Sequence, residues 1–345
     1  MSGPGRPGRP DPHPGGAARA AGAGELPLVG SSALADEEVV AAVGPGGAGG
    51  SGGAGPARRW RRPRVTAAAA AVLLVLASAA VLAPVIAPGS PDPVLTPAVL
   101  AEARQPPSWA HPFGTDELGR DQLTRVLYGL RVSLLVGLGV AVASVGIGAA
   151  VGAWAGWRGG WVDGVLMRVT DLFLVIPALA LLLVVAGNPE PTFFGWFDLP
   201  PATEVPGMVL ILAALGWMPM ARIVRGEFLS LRERAYVDAA RAAGASGLRI
   251  VWTHLLPNTA GPILVFGTLA VGFSVLNEAV LAFLGVGVQY PDVSLGTMIA
   301  DAEDTVGTDL AYMVLYPGLV LFLLVLAVNL VGDGLRGALD PRDRR

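Results

Sequence analysis

The 345-residue sequence contains no cysteine, which rules out disulfides, thiolate metal sites and cysteine nucleophiles. It contains no lysine either, so all 24 basic residues are arginine. A phosphate-binding GxxxxGK[ST] loop needs its lysine to reach the nucleotide phosphates. The chain therefore has no such loop, and if ATP drives it, another chain performs the hydrolysis. Charged residues make up only 15% of the sequence, and the net charge of −3 leaves no electrostatic case for nucleic acid. The three histidines, His13, His111 and His254, stand far apart, so neither a metal cluster nor another cofactor is expected. With no nucleophile elbow and no paired-carboxylate site, no catalysis is expected from this chain.

What the sequence has instead is apolar length. Hydrophobic residues make up 53% of it and the mean hydropathy is +0.57. That is too apolar for a soluble domain, and the chain is too long for a single anchor. Runs at about 65–87, 131–157, 163–187, 206–224, 260–285 and 311–331 are each long enough to cross a hydrocarbon layer ~30 Å thick. An all-α membrane protein with six spans follows, both termini on one side.

The arginines indicate which side. Arg58, Arg59, Arg61, Arg62 and Arg64 precede the first run. Arg158, Arg222, Arg225, Arg232, Arg234, Arg241 and Arg249 fall in or beside alternate loops, and Arg336, Arg342, Arg344 and Arg345 in the C-terminal tail. Of the intervening loops, the two later ones carry Glu190, Asp198, Glu204, Asp292, Asp301, Glu303, Asp304 and Asp309 without arginine, and the segment from Arg104 to Arg131 alternates arginines with acids. Basic residues are retained in the cytoplasm, so both termini are expected there. A cleaved signal peptide is the competing reading of 65–87; the long preceding tail and the span-length run argue against it. Residues 1–57, rich in Gly, Pro and Ala, are expected to be a disordered cytoplasmic tail, and residues 58–345 the membrane domain. Trp154, Trp157 and Trp161 bracket the first arginine-side turn, and Phe193, Phe194, Trp196 and Phe197 sit in an acidic loop, as interfacial rings prefer. Glycines at 137, 139, 146, 148, 152 and 156 suit close helix packing in the second span.

Between the fourth and fifth runs lies the loop 225–258, which includes YVDAARAAGASGLRIVWTHLLPN. At ~100° per residue, Arg234, Asp238 and Arg241 share one arc of a helix, opposite a nearly bald face of Ala235, Tyr236, Ala239, Ala240, Ala242 and Ala243. The alanine face admits another protein's backbone, and the charged arc can set its register. A helix merely resting on lipid headgroups would carry Leu, Phe or Trp there. The expectation is one helix from Arg225 through Ala243 and a stop at Gly244. A second short helix, capped by Ser246, is expected to end at Pro257.

Asp238-Ala239-Ala240, followed by Gly244 and Leu256-Pro257, resembles the EAA loop of membrane subunits of bacterial ABC importers. The segment HPFGTDELGRDQLTRVLYGLRVSL (111–134) looks like the stretch before the second span in dipeptide, oligopeptide and nickel importer permeases. Thr115 or Asp116 is expected to cap a helix lying along the interface there, with Asp121 and Arg125 paired at i,i+4. LNEAVLAFLGVGVQYP (276–291) and YPGLVLFLLVLAVNLVGDGLRGALDPR (316–342) are similar to the same family's fifth and sixth spans. The resemblance covers roughly 58–345. It implies the six-transmembrane-helix ABC importer permease fold with a cytoplasmic coupling helix, of the second-permease type. The implied partners are a second permease in a heterodimer, two cytoplasmic ABC ATPases, an extracytoplasmic solute-binding protein and membrane lipid. The implied ATPase-coupling residues are Arg234, Asp238, Ala239, Ala240, Arg241, Gly244, Leu256 and Pro257. Two positions depart from the family pattern: Asp238 stands for glutamate, and His254 for an apolar residue. Dipeptides, oligopeptides and nickel chelates all stay open as solutes.

Ionisable residues inside spans are costly and often functional. Asp163, Arg168 and Asp171 fall in the third run, and the i,i+3 spacing of Arg168 and Asp171 favours internal pairing over a place on the solute path. Asn277 and Glu278 in the fifth run either line the path or bond to a neighbouring helix. A carrier driven by an ion gradient is the competing class. It calls for inverted repeats, interrupted helices and a buried ion site, none evident in the sequence. A membrane scaffold without transport is a third.

Overall fold

A computed structural model of the chain describes residues 62–87, 89–186 and 203–339. The expected N-terminal tail, the aromatic cluster at 193–197 and the terminal Arg342, Arg344 and Arg345 lie outside the described residues.

Each of the six apolar runs is helical. Four contain an unbroken helix long enough to cross a membrane: α1 (Arg62–Val81), α4 (Gln122–Arg158), α11 (Leu256–Phe283) and α13 (Tyr312–Leu339). The short helices α2 (Ala83–Ile86) and α3 (Pro97–Ala101) link α1 to the segment before α4. The third and fourth runs are broken. In the third, α5 (Gly160–Val175) and α6 (Ala178–Ala186) meet at 77°. In the fourth, α7 (Val205–Gly216) and α8 (Met218–Leu231) meet at 45°. Proline causes both breaks. Ile176, forced out of the helical region by Pro177, takes an extended φ of −75° and ψ of 127°. Pro219 has no N–H for the preceding turn, and its ring crowds the carbonyl four residues back. Interrupted helices, not evident in the sequence, are therefore present in two spans.

The arginine-rich loop contributes α9 (Ala235–Ala242) and α10 (Gly247–Ile250). The second loop helix does not stop at Pro257. It widens into a π-turn, Val251–Leu255, and continues into α11. Pro257 stands in the first turn of α11, where its missing N–H is absorbed by the wider turn. Beyond α11 come α12 (Leu295–Asp301) and a 3₁₀ turn, Glu303–Thr305, before α13.

Helix α4 is the hub. Its buried face, including Val126, Leu130, Leu134, Val136 and Val140, packs on α7, α8, α11 and α12, and α1 and α13 complete the bundle. Toward α8 the helices come into backbone contact along Gly148, Gly152 and Gly156. A Cβ on Gly148 would lie 2.4 Å from the Trp217 carbonyl oxygen, and one on Gly152 2.3 Å from that of Ala221. At Gly156 it would meet the Phe228 Cβ at 2.6 Å. This i, i+4, i+8 stripe lets two helices approach without side chains between them. Gly146, two residues before Gly148 and so on the opposite face, has open space beside it.

Gly152→Val is therefore expected to force α4 and α8 apart, costing about 1–3 kcal/mol. A thermal melt of the assembled complex should show a Tm lower by several degrees, and Gly146→Val should melt as the parent does.

Candidate functional site

The loop between α8 and α11 is built from short, well-terminated pieces. The expected single helix from Arg225 to Ala243 is interrupted at residues 232–234: α8 ends at Leu231, and Arg234 is extended, with φ −82° and ψ 142°. Beside the break Arg232 reaches back, and its Nη1 donates to the carbonyl of Gly156 at 3.1 Å. The chain re-enters helix at Ala235, so Asp238 occupies the first turn of α9 and Arg241 the last. Each charge there opposes the nearer end of the helix dipole. Asp238 and Arg241 pair at 3.2 Å, with 67% and 47% of their side chains exposed.

Gly244 ends α9 with φ +81°. Its N–H donates to the Arg241 carbonyl at 2.9 Å, and the N–H of Ala245 donates to that of Ala240 at 3.0 Å. This is a Schellman turn, which calls for a left-handed residue, and glycine adopts that conformation without strain. Ser246 then caps α10 as expected, its hydroxyl accepting from the Arg249 N–H at 3.4 Å.

The packed side of α9 is narrower than the alanine pattern suggests. Val237 is fully buried and Ala240 partly, in the same apolar cluster as Val224, Phe228, Ile250 and Leu255. Arg234, Ala235, Tyr236, Ala239, Ala242 and Ala243 remain exposed. The Arg241 guanidinium stands 5.4 Å from the centre of the Trp157 ring at the end of α4, a cation–π contact. His254 meets the Tyr236 ring edge-on at 6.1 Å. Leu256 is half-buried and Pro257 exposed, both in the first turn of α11.

The ionisable residues inside the spans pair between helices. Arg225 on α8 grips Asp163 on α5 through two nitrogens, the Nη2 contact at 2.7 Å, and Arg222 on α8 bonds Asp171 on α5. The expected pairing of Arg168 with Asp171 does not form, because α8 lies within reach of the aspartate. Arg168 is exposed and has no ion-pair partner among the described residues. Glu278 and Asn277 diverge. Glu278 is fully buried, where Ser133 Oγ lies 3.4 Å from its carboxylate and itself accepts from the Leu295 N–H at 3.2 Å. Asn277, next along the helix, is exposed.

The segment before α4 is a set of turns with no interfacial helix. Gly114 and Gly119 have φ of +77° and +79°. The Asp116 carboxylate accepts from the backbone N–H groups of Leu118 and Arg120, at 2.9 and 2.8 Å, which holds this stretch in a turn. Asp116 also pairs with Arg120 at 2.6 Å and Arg125 at 2.9 Å, and Arg125 reaches Asp301 at 3.3 Å. Asp121 caps α4 and meets His111 at 3.0 Å, so its expected i,i+4 pair with Arg125 is absent. A cavity of about 320 Å³ opens beside this network, lined by Asp92, Arg120, Arg125, Tyr290 and Asp292 among others. There a hydrogen bond to Asp92, and that residue's charge, raise the Tyr290 pKa. The signal for this network was in the sequence as a dense alternation of acids and arginines; the choice of partners was not.

A bundle of unbroken and proline-broken spans, with one short amphipathic helix at its arginine-rich end, is the architecture of a transport permease. Residues 148–345 match the family described as binding-protein-dependent transport system inner membrane component. The oligopeptide transport system permease protein OppC of Mycobacterium tuberculosis is 42% identical over 273 residues, covering 79% of this chain and 88% of the relative. The dipeptide transport system permease protein DppC of Bacillus subtilis is 39% identical over 280 residues, covering 79% and 81%. That of Haemophilus influenzae is 36% identical over 276 residues, covering 78% and 88%. The chain belongs to this family: it is a multi-pass permease subunit of a binding-protein-dependent ABC importer and not an enzyme. Such permeases work with ATPase and binding-protein partners.

Arg225→Asp should destabilise the bundle by about 1–3 kcal/mol, since it places two acids together at the α5–α8 seam. Combining it with Asp163→Arg should recover most of the loss, measured as the Tm of the assembled complex.

Proposed function

We propose that the chain is one of two different membrane subunits of an ATP-driven peptide importer, coupled to its ATPase through α9. Peptides are favoured over nickel because the relatives above are named for oligopeptide and dipeptide transport. In this reading both termini are cytoplasmic. Two ATPase subunits sit beneath the permease pair, and an extracytoplasmic binding protein delivers solute to the acidic face.

One observation carries the coupling role: α9 is exposed at Arg234, Asp238 and along its alanine face, and anchored through Val237 in the main core. Val237 joins the cluster containing Val224 and Phe228 of α8 and Leu255 at the head of α11. A push on the exposed face of Arg234, Asp238, Ala239 and Arg241 is therefore delivered to the helices that pack on α4. Closure of the ATPases on binding ATP supplies that push, and the proline breaks let spans tilt about a rigid hub. Gly244 keeps the lever short and stiff by ending α9 in a Schellman turn. Ala240 belongs to the anchor, and Leu256 and Pro257 to the start of the span that receives the motion. Each outer half of a broken span has a conformation of its own to change, which suits alternating access between outward- and inward-facing states.

Asp238→Arg reverses the charge presented to the ATPase, and Gly244→Pro fixes φ near −65° where +81° is needed. Both variants should insert in the membrane at normal levels and lower ATP-dependent peptide uptake by about tenfold or more. Unchanged uptake in both variants would refute the coupling role.

A further inference from the structure

The seam between α5 and α8 holds charges that helix packing alone does not require. Asp171 and Arg222 are paired, yet 51% and 44% of their side chains are exposed. Arg168, one turn before Asp171, is exposed without an ion-pair partner among the described residues. Counted from Gly160 at the start of α5, Arg168 and Asp171 stand ~12 and ~16 Å along the helix, in the inner half of the third run. Ionised groups at such depth face a water-filled cavity or another protein group, since exposure to hydrocarbon is costly. The two helices of the seam are also halves of the two broken spans. Interrupted backbone at membrane depth is tolerated where it is buried in protein or lines a cavity. Exposed charge and a broken span thus occur together on the same two helices.

The sign of that surface is positive. Asp171 is neutralised by Arg222, Asp163 by Arg225, and Arg168 is left over. A guanidinium matches the two oxygens of a carboxylate, which it binds bidentately. We propose that Arg168, Asp171 and Arg222 line the water-filled solute path and hold the carboxylate end of a peptide in transit. The inference rests on the importer reading above. A lipid phosphate offers the same anionic oxygens to Arg168, and the two sources differ in whether water and peptide reach the site.

This chain has no natural cysteine, so each single variant carries its one thiol, read on this subunit after labelling. In the complete complex in vesicles, single variants Arg168→Cys and Asp171→Cys are treated with a sulfonated, membrane-impermeant maleimide from either side, with Val142→Cys on an exposed apolar face of α4 for comparison. The expected result is labelling at 168 and 171 about tenfold faster than at 142, slowed by millimolar trialanine. In a second arm, Arg168→Gln, which removes no ion pair among the described residues, should lower uptake of trialanine about tenfold. Uptake of trialanine amide should hardly change. Each rate is read against the parent complex, so the binding protein's own preference cancels. Labelling at 168 and 171 no faster than at 142 means a lipid-facing seam and overturns the proposal. So does labelling indifferent to peptide, or an equal loss of both uptakes. A parent complex that takes up neither peptide with ATP counts against the peptide-importer reading instead, while the labelling rates still decide whether the seam is aqueous.

Discussion

The backbone contact between α4 and α8 is the constraint on which the rest of the bundle depends. Three glycines, Gly148, Gly152 and Gly156, remove every side chain from one stripe of α4, and α8 lies directly against it. Between two helices in lipid there is little hydrophobic driving force, so attraction comes from close van der Waals packing and interhelical polar contacts. The glycine stripe supplies the first, and the contact from Arg232 to the Gly156 carbonyl supplies part of the second. With α8 held in this way, its arginines are carried to the two aspartates of α5. Its last turn delivers the chain to α9.

That delivery explains why a segment as short as α9 keeps a fixed attitude. Eight residues form only a marginal helix in isolation. Here Val237 is fully buried, Arg241 packs over Trp157, and the Schellman turn at Gly244 satisfies the last carbonyls. Two of the three anchors lead back to α4 or α8, so the loop moves with the hub instead of swinging from it. His254, which departs from the family pattern, is accommodated by its edge contact with Tyr236. The shorter acid Asp238 is already bonded to Arg241, and a partner surface would meet the pair together.

Polar groups inside the bundle fall into two kinds. Glu278, fully buried and bonded through Ser133 to the start of α12, ties three helices together. The α5–α8 pairs are partly exposed and stand beside the breaks in the helices. Burial separates the enclosed Glu278 from charges that face outward, a distinction that residue type and spacing do not contain.

Composition and run length by themselves determined that this is a helical membrane protein with six apolar segments, because a span must satisfy its backbone internally over a thickness set by the bilayer. Local chemistry was also readable where it acts within a few residues: Ser246 as a cap and Gly244 as a left-handed terminator both stand as their types require. Pro257 shows the limit of that reasoning, since a proline that ends one helix equally well begins another, and the π-turn before it let the chain run on into α11. Pairing within the segment before α4 and between α5 and α8 was decided only by tertiary structure. Arg125 chose Asp116 and Asp301 over Asp121, and Asp171 chose Arg222 over Arg168. The physical reason is the same in each case. A charge takes the opposite charge nearest in space, and helix packing decides which one that is.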